Sequence, residues 1–257
     1  MKQYIVDAFT ETLFKGNQAA VCILDEWLDD NLMLNIAMEN NLSETAFIVK
    51  EDKIYNLRWF TPTDEIDFCG HATLASAFVI FNYIDTLCSN LTFNTQVGKI
   101  TVNRNEKLYE MTFPRLDYKK IEITPEIEKC FSAKASEAYT NRDLLLVFEN
   151  EEDIYNMEID FESLKKLDAA CIAITSKSLE YDCTSRVFAP SIGITEDPVT
   201  GSTHCMISSY WSERLGKNRI TAYQASRRSG ILECEVLEDN VKISGSAVLY
   251  SESEIHI

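Results

Sequence analysis

RWFTPTDEIDFCGHATLASAFVI, residues 58–80, has the pattern of a strand, a polar turn and a helix that begins at a glycine. Residues 186–211, RVFAPSIGITEDPVTGSTHCMISSYW, have the same order. Both open with Arg-x-Phe-x-Pro and run through an acidic loop to Gly70 or Gly201 before an apolar helix. The two stretches lie about half a chain apart, and a repeat of this kind indicates one structural unit used twice.

The N-terminal ends of the two predicted helices indicate a binding site for an anion. Aligned from glycine to glycine, His71 corresponds to Ser202 and Cys69 to Thr200. If the halves pack about a pseudo-twofold axis, two helix N-termini face one interdomain cleft. Helix N-termini carry free N–H groups and partial positive charge, so such a cleft suits an anionic ligand.

Composition narrows the class of protein. The chain has 257 residues and a net charge of −17, which disfavours nucleic acid and anionic membrane as partners. Eight cysteines without a C-x-x-C pair, and only three histidines, predict reduced thiols and no metal site. No apolar run approaches the roughly 20 residues that span a bilayer, and the N-terminus enters a strand directly. We therefore expect a cytoplasmic protein without a signal peptide.

The periodicity predicts an α/β fold of two pseudo-symmetric domains, each a curved mixed β-sheet or barrel around a central helix. The helix predicted over 72–83 is apolar on nearly every side, which is typical of a buried helix. We expect domains at 1–116 and 117–257, with a polar, irregular linker at 114–140. Residues 247–257 are assigned to the second domain, with the alternative that this C-terminal tail returns to the first domain. The predicted elements are strands at 3–9, 19–24, 45–50, 54–60, 91–94, 99–102, 108–113, 143–148, 170–175, 183–188, 220–224, 231–236, 241–244 and 247–250, and helices after Asp29 or Asp30, at 72–83, at 161–167 and at 203–215.

Four polar residues are the candidate catalytic set. Aligning residues 42–44 with 167–169 sets Glu44 opposite Ala169, so only one half carries a carboxylate at this strand end. The cleft would then hold Glu44, His71, Asp197 and Ser202. Carboxylates, an imidazole and a hydroxyl near two helix N-termini suit proton transfer at carbon. One glutamate indicates one base that removes and returns a proton on the same face.

Each of these residues also has a structural interpretation. Glu44 can cap or pair at a strand end, and His71 can bond its own loop. Asp197 precedes a proline and suits a turn. Ser202 is a good N-cap. The coincidence of all four at equivalent sites of a repeat favours the catalytic interpretation.

These motifs resemble those of the PhzF-like (phenazine biosynthesis) isomerases, within the diaminopimelate-epimerase-like group. The matching pieces are spread over nearly the whole chain in family order. They are GNQAAV (16–21), NLSETAF (41–47), RWFTP (58–62), DFCGHATLA (67–75) and EDPVTGSTHC (196–205). One departure is Gln18, where the family usually has proline.

The resemblance implies a homodimer without a cofactor or metal, acting on a small carboxylate such as dihydro-3-hydroxyanthranilate. It implies Glu44 as general acid/base, with His71, Asp197 and Ser202 orienting it and the substrate. It also implies a carboxylate cradle at the helix starts, formed by Gly70, Ala72, Gly201 and Thr203.

Two other functions stay open. An amino-acid racemase or epimerase with a thiol pair would use Cys69, but the equivalent position is Thr200, and Cys205 lies about one helical turn further in. A non-catalytic protein that binds a small anion or a partner protein is the other alternative, because fold alone does not define function.

Overall fold

The computed structural model describes residues 1–52 and 54–257. It divides into two compact units, residues 1–112 with 244–257, and residues 113–243. The predicted boundary between residues 116 and 117 lies close to this division. The last strand belongs to the first unit, because Ala247–Glu254 pairs antiparallel with Lys2–Ala8.

Nine strands and two helices make up most of the first unit. The strands are β1 (Lys2–Ala8), β2 (Asn17–Leu24), β3 (Glu44–Glu51), β4 (Ile54–Phe60), β5 (Glu65–Ile66), β6 (Asn90–Thr95), β7 (Gly98–Asn105), β8 (Leu108–Pro114) and, at the C-terminus, β18 (Ala247–Glu254). The helices are α1 (Asp30–Asn40) and α2 (Gly70–Val79). The ladder runs β18–β1–β2–β3–β4–β6–β7–β8, with β5 on β4. Among the described pairs of this ladder, β2–β3 and β4–β6 are parallel and the others are antiparallel.

Helix α2 is the core of the first unit. Every residue from His71 to Val79 is buried, and the helix packs against β1, β2, β3 and β18. The predicted helix over 72–83 is confirmed in its centre, but its last turn is a π-helical turn at Ile80–Ile84, closed by the Asp85 N–H on the Ile80 carbonyl (2.7 Å). This burial on all sides is what the all-round apolar pattern predicts.

The second unit uses the same order of elements. Its strands are β9 (Lys119–Ile121), β10 (Glu137–Thr140), β11 (Leu144–Val147), β12 (Ile172–Lys177), β13 (Cys183–Ala189), β14 (Ile194–Asp197), β15 (Arg219–Gln224), β16 (Gly230–Val236) and β17 (Asn240–Gly245). Its helices are α3 (Pro125–Glu128), α4 (Glu151–Asn156), α5 (Phe161–Leu164) and α6 (Gly201–Leu215). Parallel pairs again occur at the two corresponding places, β11–β12 and β13–β15.

The prediction of an irregular linker over 114–140 is wrong in part. Strand β9 pairs antiparallel with β10, and α3 lies between them. The charged side chains that made this stretch look irregular lie largely on its exposed side. Ile127 and Ala138 are buried in the core of the unit, together with Leu146 and Ile174. The few apolar residues of this stretch thus anchor the short strand pair β9–β10 to the core of the second unit.

Two further features of the second unit differ from the sequence-based predictions. The helix predicted at 161–167 ends at Leu164. Helix α4 was not predicted, because its first turn is acidic and only Ile154 of its six residues is buried. The predicted end of the last helix at residue 215 is confirmed, because α6 ends at Leu215 and Gly216 follows with a φ of 66° in the left-handed region.

Candidate active site

The Arg-x-Phe-x-Pro repeat encodes a structural ion pair in each unit. Arg58 donates from Nε and Nη2 to both oxygens of Glu65 on β5, at 2.7 and 2.6 Å. Arg186 does the same to Glu196 on β14, at 2.7 and 3.1 Å. Each pair fastens the short strand that leads into a glycine-started helix. The repeat therefore fixes the position of the helix start on which the site is built.

The strand registers give a different repeat alignment from the one predicted. Phe47 pairs with Arg58, and Ile174 pairs with Arg186, so these two residues are equivalent. Counting three residues back from each gives Glu44 in the first unit and Cys171 in the second. The predicted match of Glu44 with Ala169 is wrong, because the loop before β12 is two residues longer than the alignment allowed. The conclusion that only the first unit carries this carboxylate is unchanged.

Glu44 and His71 are brought together in the first unit. Glu44 is the first residue of β3, and His71 is the second residue of α2. Glu44 Oε2 lies 2.8 Å from His71 Nε2, with the side chains 8% and 7% exposed. The two atoms lie outside hydrogen-bond geometry, and neither has another hydrogen-bond partner among the described residues. A close, buried acid–base pair with spare hydrogen-bonding capacity is thus present at the start of α2.

Asn17 and Cys69 contact the second ring nitrogen of His71, Nδ1. Asn17 Nδ2 lies 3.1 Å and Cys69 Sγ 3.5 Å from His71 Nδ1. With the amide nitrogen facing the ring, Nδ1 accepts and the ring hydrogen sits on Nε2, toward Glu44. A protonated ring would require Asn17 to turn its carbonyl oxygen toward Nδ1. Asn17 is buried and begins β2, so the GN pair of the sequence supplies a positioning residue that the sequence analysis did not include.

The charges of this cluster shift the pKa values of two of its members. Burial alone lowers the pKa of His71, but a charge on Cys69 or Glu44 favours the imidazolium, and the net pKa is well above its ordinary value. Burial, and then the charge of Glu44, raise the pKa of the Cys69 thiol. Cys69 is therefore a neutral thiol at neutral pH. Glu44, Cys69 and His71 are also close enough to act together on one cation, since their ligand atoms lie within 4.8 Å of one another.

Asp197 and Ser202 have separate partners in the second unit. Asp197 ends β14, and its Oδ2 accepts a hydrogen bond from the Thr200 hydroxyl (2.5 Å). Ser202 is not the N-cap of α6, as its residue type had indicated, because the cap position is Thr200 and the helix already begins at Gly201. Its hydroxyl instead accepts a hydrogen bond from Arg142 Nη2 (3.2 Å).

The four predicted cradle residues lie at the helix starts. Gly70 and Gly201 are the first residues of α2 and α6, and Ala72 and Thr203 are the third. Neither N-cap, Cys69 or Thr200, makes a side-chain capping hydrogen bond. The first N–H groups of both helices are thus left uncapped by the preceding side chain, which is the arrangement that favours an anion.

His204 has a structural role. Its Nδ1 lies 2.8 Å from the Thr200 carbonyl, and its Nε2 lies 3.2 Å from the Ser185 hydroxyl. Burial lowers the pKa of His204 to about 4, so the ring is neutral, Nδ1 donates and Ser185 donates to Nε2. In the first unit Thr73 makes the matching bond to the Cys69 carbonyl (2.5 Å). This histidine holds the start of α6 in place and is separate from the acid–base pair.

Comparison with known proteins gives the fold and the family of the chain. A predicted epimerase from Pseudomonas aeruginosa covers 99% of this chain with a TM-score of 0.76 at 19% identity, and this likeness shows an epimerase-like fold. The model of the family described as phenazine biosynthesis-like protein matches residues 6–253, so the chain belongs to this family. The prediction of the PhzF-like family and of its α/β fold is confirmed.

Relatives at higher identity agree. A PhzF-family phenazine biosynthesis protein from Enterococcus faecalis has a TM-score of 0.98 at 47% identity, covering 100% of this chain and 99% of that one. An uncharacterized isomerase from Pseudomonas aeruginosa is 43% identical over 98% of this chain and 97% of its own length. The chain is an enzyme of the isomerase class. No helix among the described residues has the length and apolar character that a membrane crossing requires.

Proposed function

We propose that the protein is a cofactor-independent isomerase that moves a proton between carbons of a small carboxylate, with Glu44 as the general acid/base. The observation that carries this proposal is the buried contact of Glu44 with His71 at the N-terminus of α2. A carboxylate is basic enough to take a proton from an activated carbon and acidic enough to return it. The dihydro-3-hydroxyanthranilate-like class is the substrate that the family resemblance favours.

In the proposed reaction, Glu44 takes a proton from one ring carbon, and the electrons of that C–H bond move into the conjugated system. The resulting anion is stabilised by N–H groups at helix starts, which are fixed before the reaction begins. Glu44 then delivers a proton to another carbon, so the substrate gains and loses one proton and no other atom, and exchange of the carboxyl proton with solvent allows deuterium to enter there. His71 orients the carboxylate through the contact at Nε2, and Asp197 and Ser202 bind the substrate. Gly70, Ala72, Gly201 and Thr203 supply the N–H groups.

A thiol-pair mechanism is less well supported. Burial and the charge of Glu44 raise the pKa of Cys69, and burial raises that of Cys205 to about 12. Thiolates are the reactive form, so both residues are poorly suited as bases. The cap position equivalent to Cys69 is Thr200, whose hydroxyl is bonded to Asp197.

Deuterium exchange tests the proposal. The protein is incubated in D2O with dihydro-3-hydroxyanthranilate and a panel of cyclic and amino-acid carboxylates, and deuterium at carbon is followed by NMR. We expect exchange with the wild type, with C69S and with the exposed control E39Q, and a loss of at least 100-fold with E44Q. Exchange that survives E44Q but is lost with C69S would instead establish a thiol base. Binding without exchange for every compound would indicate the binding-only function.

We propose a homodimer, which the family resemblance favours, and a location in the cytoplasm, which the reduced cysteines expected from the sequence favour. Light scattering coupled to size exclusion should give about twice the chain mass of 29.3 kDa. A monomer at micromolar concentration would contradict the assembly.

A further inference from the structure

The hydroxyl of Ser202 has an unused hydrogen. Within the described part of the chain, its one hydrogen-bond partner is Arg142 Nη2, at 3.2 Å. A guanidinium only donates hydrogen bonds, so Ser202 Oγ must accept in this contact. Its own O–H is then free to donate, and no acceptor for it is present among residues 1–52 and 54–257. Arg142 thus holds Ser202 as a hydrogen-bond donor.

The guanidinium is itself held rigidly. Its Nε and Nη2 donate to the two oxygens of Asp143, at 2.9 and 2.8 Å. The Asp143 side chain is 3% exposed and also accepts from the Thr203 hydroxyl at 3.0 Å. The contacts run from Thr203 through Asp143 and Arg142 back to Ser202, and they close a loop between the start of α6 and the start of β11. A closed network of this kind restricts the rotamers of its members.

Arg142 is specific to the second unit. Cys22 of β2 and Leu146 of β11 are equivalent, because each pairs with one of the matched residues Phe47 and Ile174. Counting four residues back from each gives Gln18 in the first unit and Arg142 in the second. This position therefore carries an arginine only in the second unit, beside the helix α6 that presents Ser202.

We infer that Arg142 is a positioning residue, which presets the Ser202 hydroxyl to donate a hydrogen bond to an anionic oxygen of the substrate carboxylate. This inference rests on the proposed function, and it adds Arg142, with Asp143 as its anchor, to the residues that decide substrate affinity. A preset donor loses less conformational freedom on binding than a free hydroxyl does.

A double-mutant cycle tests the inference without turnover. The probe is 3-hydroxyanthranilate, an aromatic carboxylate related to the proposed substrate, and its dissociation constant is measured by titration calorimetry. The variants are S202A, R142Q and the double variant, in which glutamine is the residue of the first unit at the equivalent position. The matched control is R214Q. Arg214 resembles Arg142 in exposure, 48% against 46%, and in pairing with a carboxylate, that of Glu137. It lies in the last turn of α6, at the opposite end of this helix from Ser202.

We expect S202A to weaken binding about tenfold and R142Q about fivefold, since a hydrogen bond to a charged group is lost or loosened. The double variant should bind no more weakly than S202A, because Arg142 acts through Ser202. R214Q should bind as the wild type does, and thermal unfolding should show that all variants are folded.

Three results would overturn the inference. Losses that multiply in the double variant would mean that Arg142 acts independently of Ser202. Wild-type affinity in R142Q would mean that it positions nothing, and failure of the wild type to bind the probe would mean that the Ser202 donor serves no carboxylate of this class. If the binding losses of S202A and R142Q are coupled as expected but no deuterium exchange occurs, only the proton-transfer function is rejected. If deuterium exchange occurs but the two binding losses are not coupled, only the role of Arg142 is rejected.

Discussion

Glu44 Oε2 and His71 Nε2 lie 2.8 Å apart although they come from different elements, β3 and α2, and are 27 residues apart in the sequence. Both side chains are more than nine-tenths buried. Charges interact more strongly in such surroundings than in water, so the carboxylate of Glu44 favours the protonated form of His71. This coupling can be measured directly on the imidazole.

The first prediction concerns the pKa of His71. Burial lowers this pKa, while the interactions with Cys69 and with the Glu44 carboxylate raise it to well above its ordinary value. E44Q removes the carboxylate charge and leaves the burial, so the pKa should fall by about one unit or more. The imidazole Cε1–H resonance followed by NMR against pH reports it. E39Q, an exposed glutamate on α1, is the control, and an unchanged His71 titration in E44Q would contradict the coupling.

The fold was largely predictable because the sequence repeats a local signal. Arg-x-Phe-x-Pro and a glycine-started apolar helix occur twice, and in both units they are the strand, the ion pair and the buried helix of the site. The contact of Glu44 with His71 could be inferred only from the repeat and the family resemblance. No spacing along the chain predicts that β3 and the start of α2 meet.

Other features were not predictable for physical reasons. The equivalence of Glu44 with Cys171 depends on strand register, which loop lengths conceal. The helix α6 begins one residue before Ser202, so a good capping residue lies inside the helix instead. Asn17 lies in a family motif to which the sequence analysis assigned no chemistry, and Arg142 lies in none of the motifs. Their contacts depend on the side chains that the fold brings next to them.

The second prediction concerns acid stability. Burial lowers the pKa of His204 to about 4 in the folded protein, whereas an unfolded histidine titrates near 6.5. Between these values the unfolded state binds more protons, so this contribution to stability is complete above pH 6.5 and is lost as the pH falls toward 4. At pH 4.5 the loss should be roughly 2–3 kcal/mol.

The variant H204N isolates this effect. Its amide can keep the bond to the Thr200 carbonyl but does not titrate, so its free energy of unfolding should fall less between pH 7 and 4.5 than that of the wild type. Urea unfolding at both pH values measures the difference. H256N, which changes an exposed histidine, should follow the wild type, and an H204N slope equal to that of the wild type would count against a buried neutral ring.

The third prediction ranks the two repeated arginines. Both are forked onto a glutamate, but their Nη1 groups differ. Arg186 Nη1 donates to the Ile154 and Met157 carbonyls at 3.2 and 3.3 Å, whereas Arg58 Nη1 lies 2.9 Å from the exposed carboxylate of Asp30, a pair that contributes little. Lysine cannot reproduce the fork. R186K should therefore lower the free energy of unfolding by about 2–4 kcal/mol, and R58K by about 1–2 kcal/mol.

Urea unfolding of both variants provides the comparison. The control is R219K, because Arg219 is 82% exposed and lies 3.5 Å from Glu235, and it should change stability by less than about 0.5 kcal/mol. A larger loss for R58K than for R186K would show that the carbonyl contacts of Arg186 contribute little.

The fourth prediction separates backbone strain from steric overlap at two glycines. Gly16 and Gly216 have nearly the same φ, 67° and 66°, which a side chain rarely adopts. A Cβ at Gly216 would meet nothing within 4 Å, whereas a Cβ at Gly16 would lie 2.1 Å from the Ala8 carbonyl oxygen. G216A should therefore cost only the backbone term of about 1–2 kcal/mol. G16A carries the same backbone term and must also displace the end of β1, so we expect a cost of more than about 3 kcal/mol, or failure to fold.

Tryptophan fluorescence during urea unfolding measures the stability of both variants, with Trp59 reporting on the unit of Gly16 and Trp211 on that of Gly216. Equal costs would mean that β1 yields without loss and that only the left-handed backbone requires glycine at position 16.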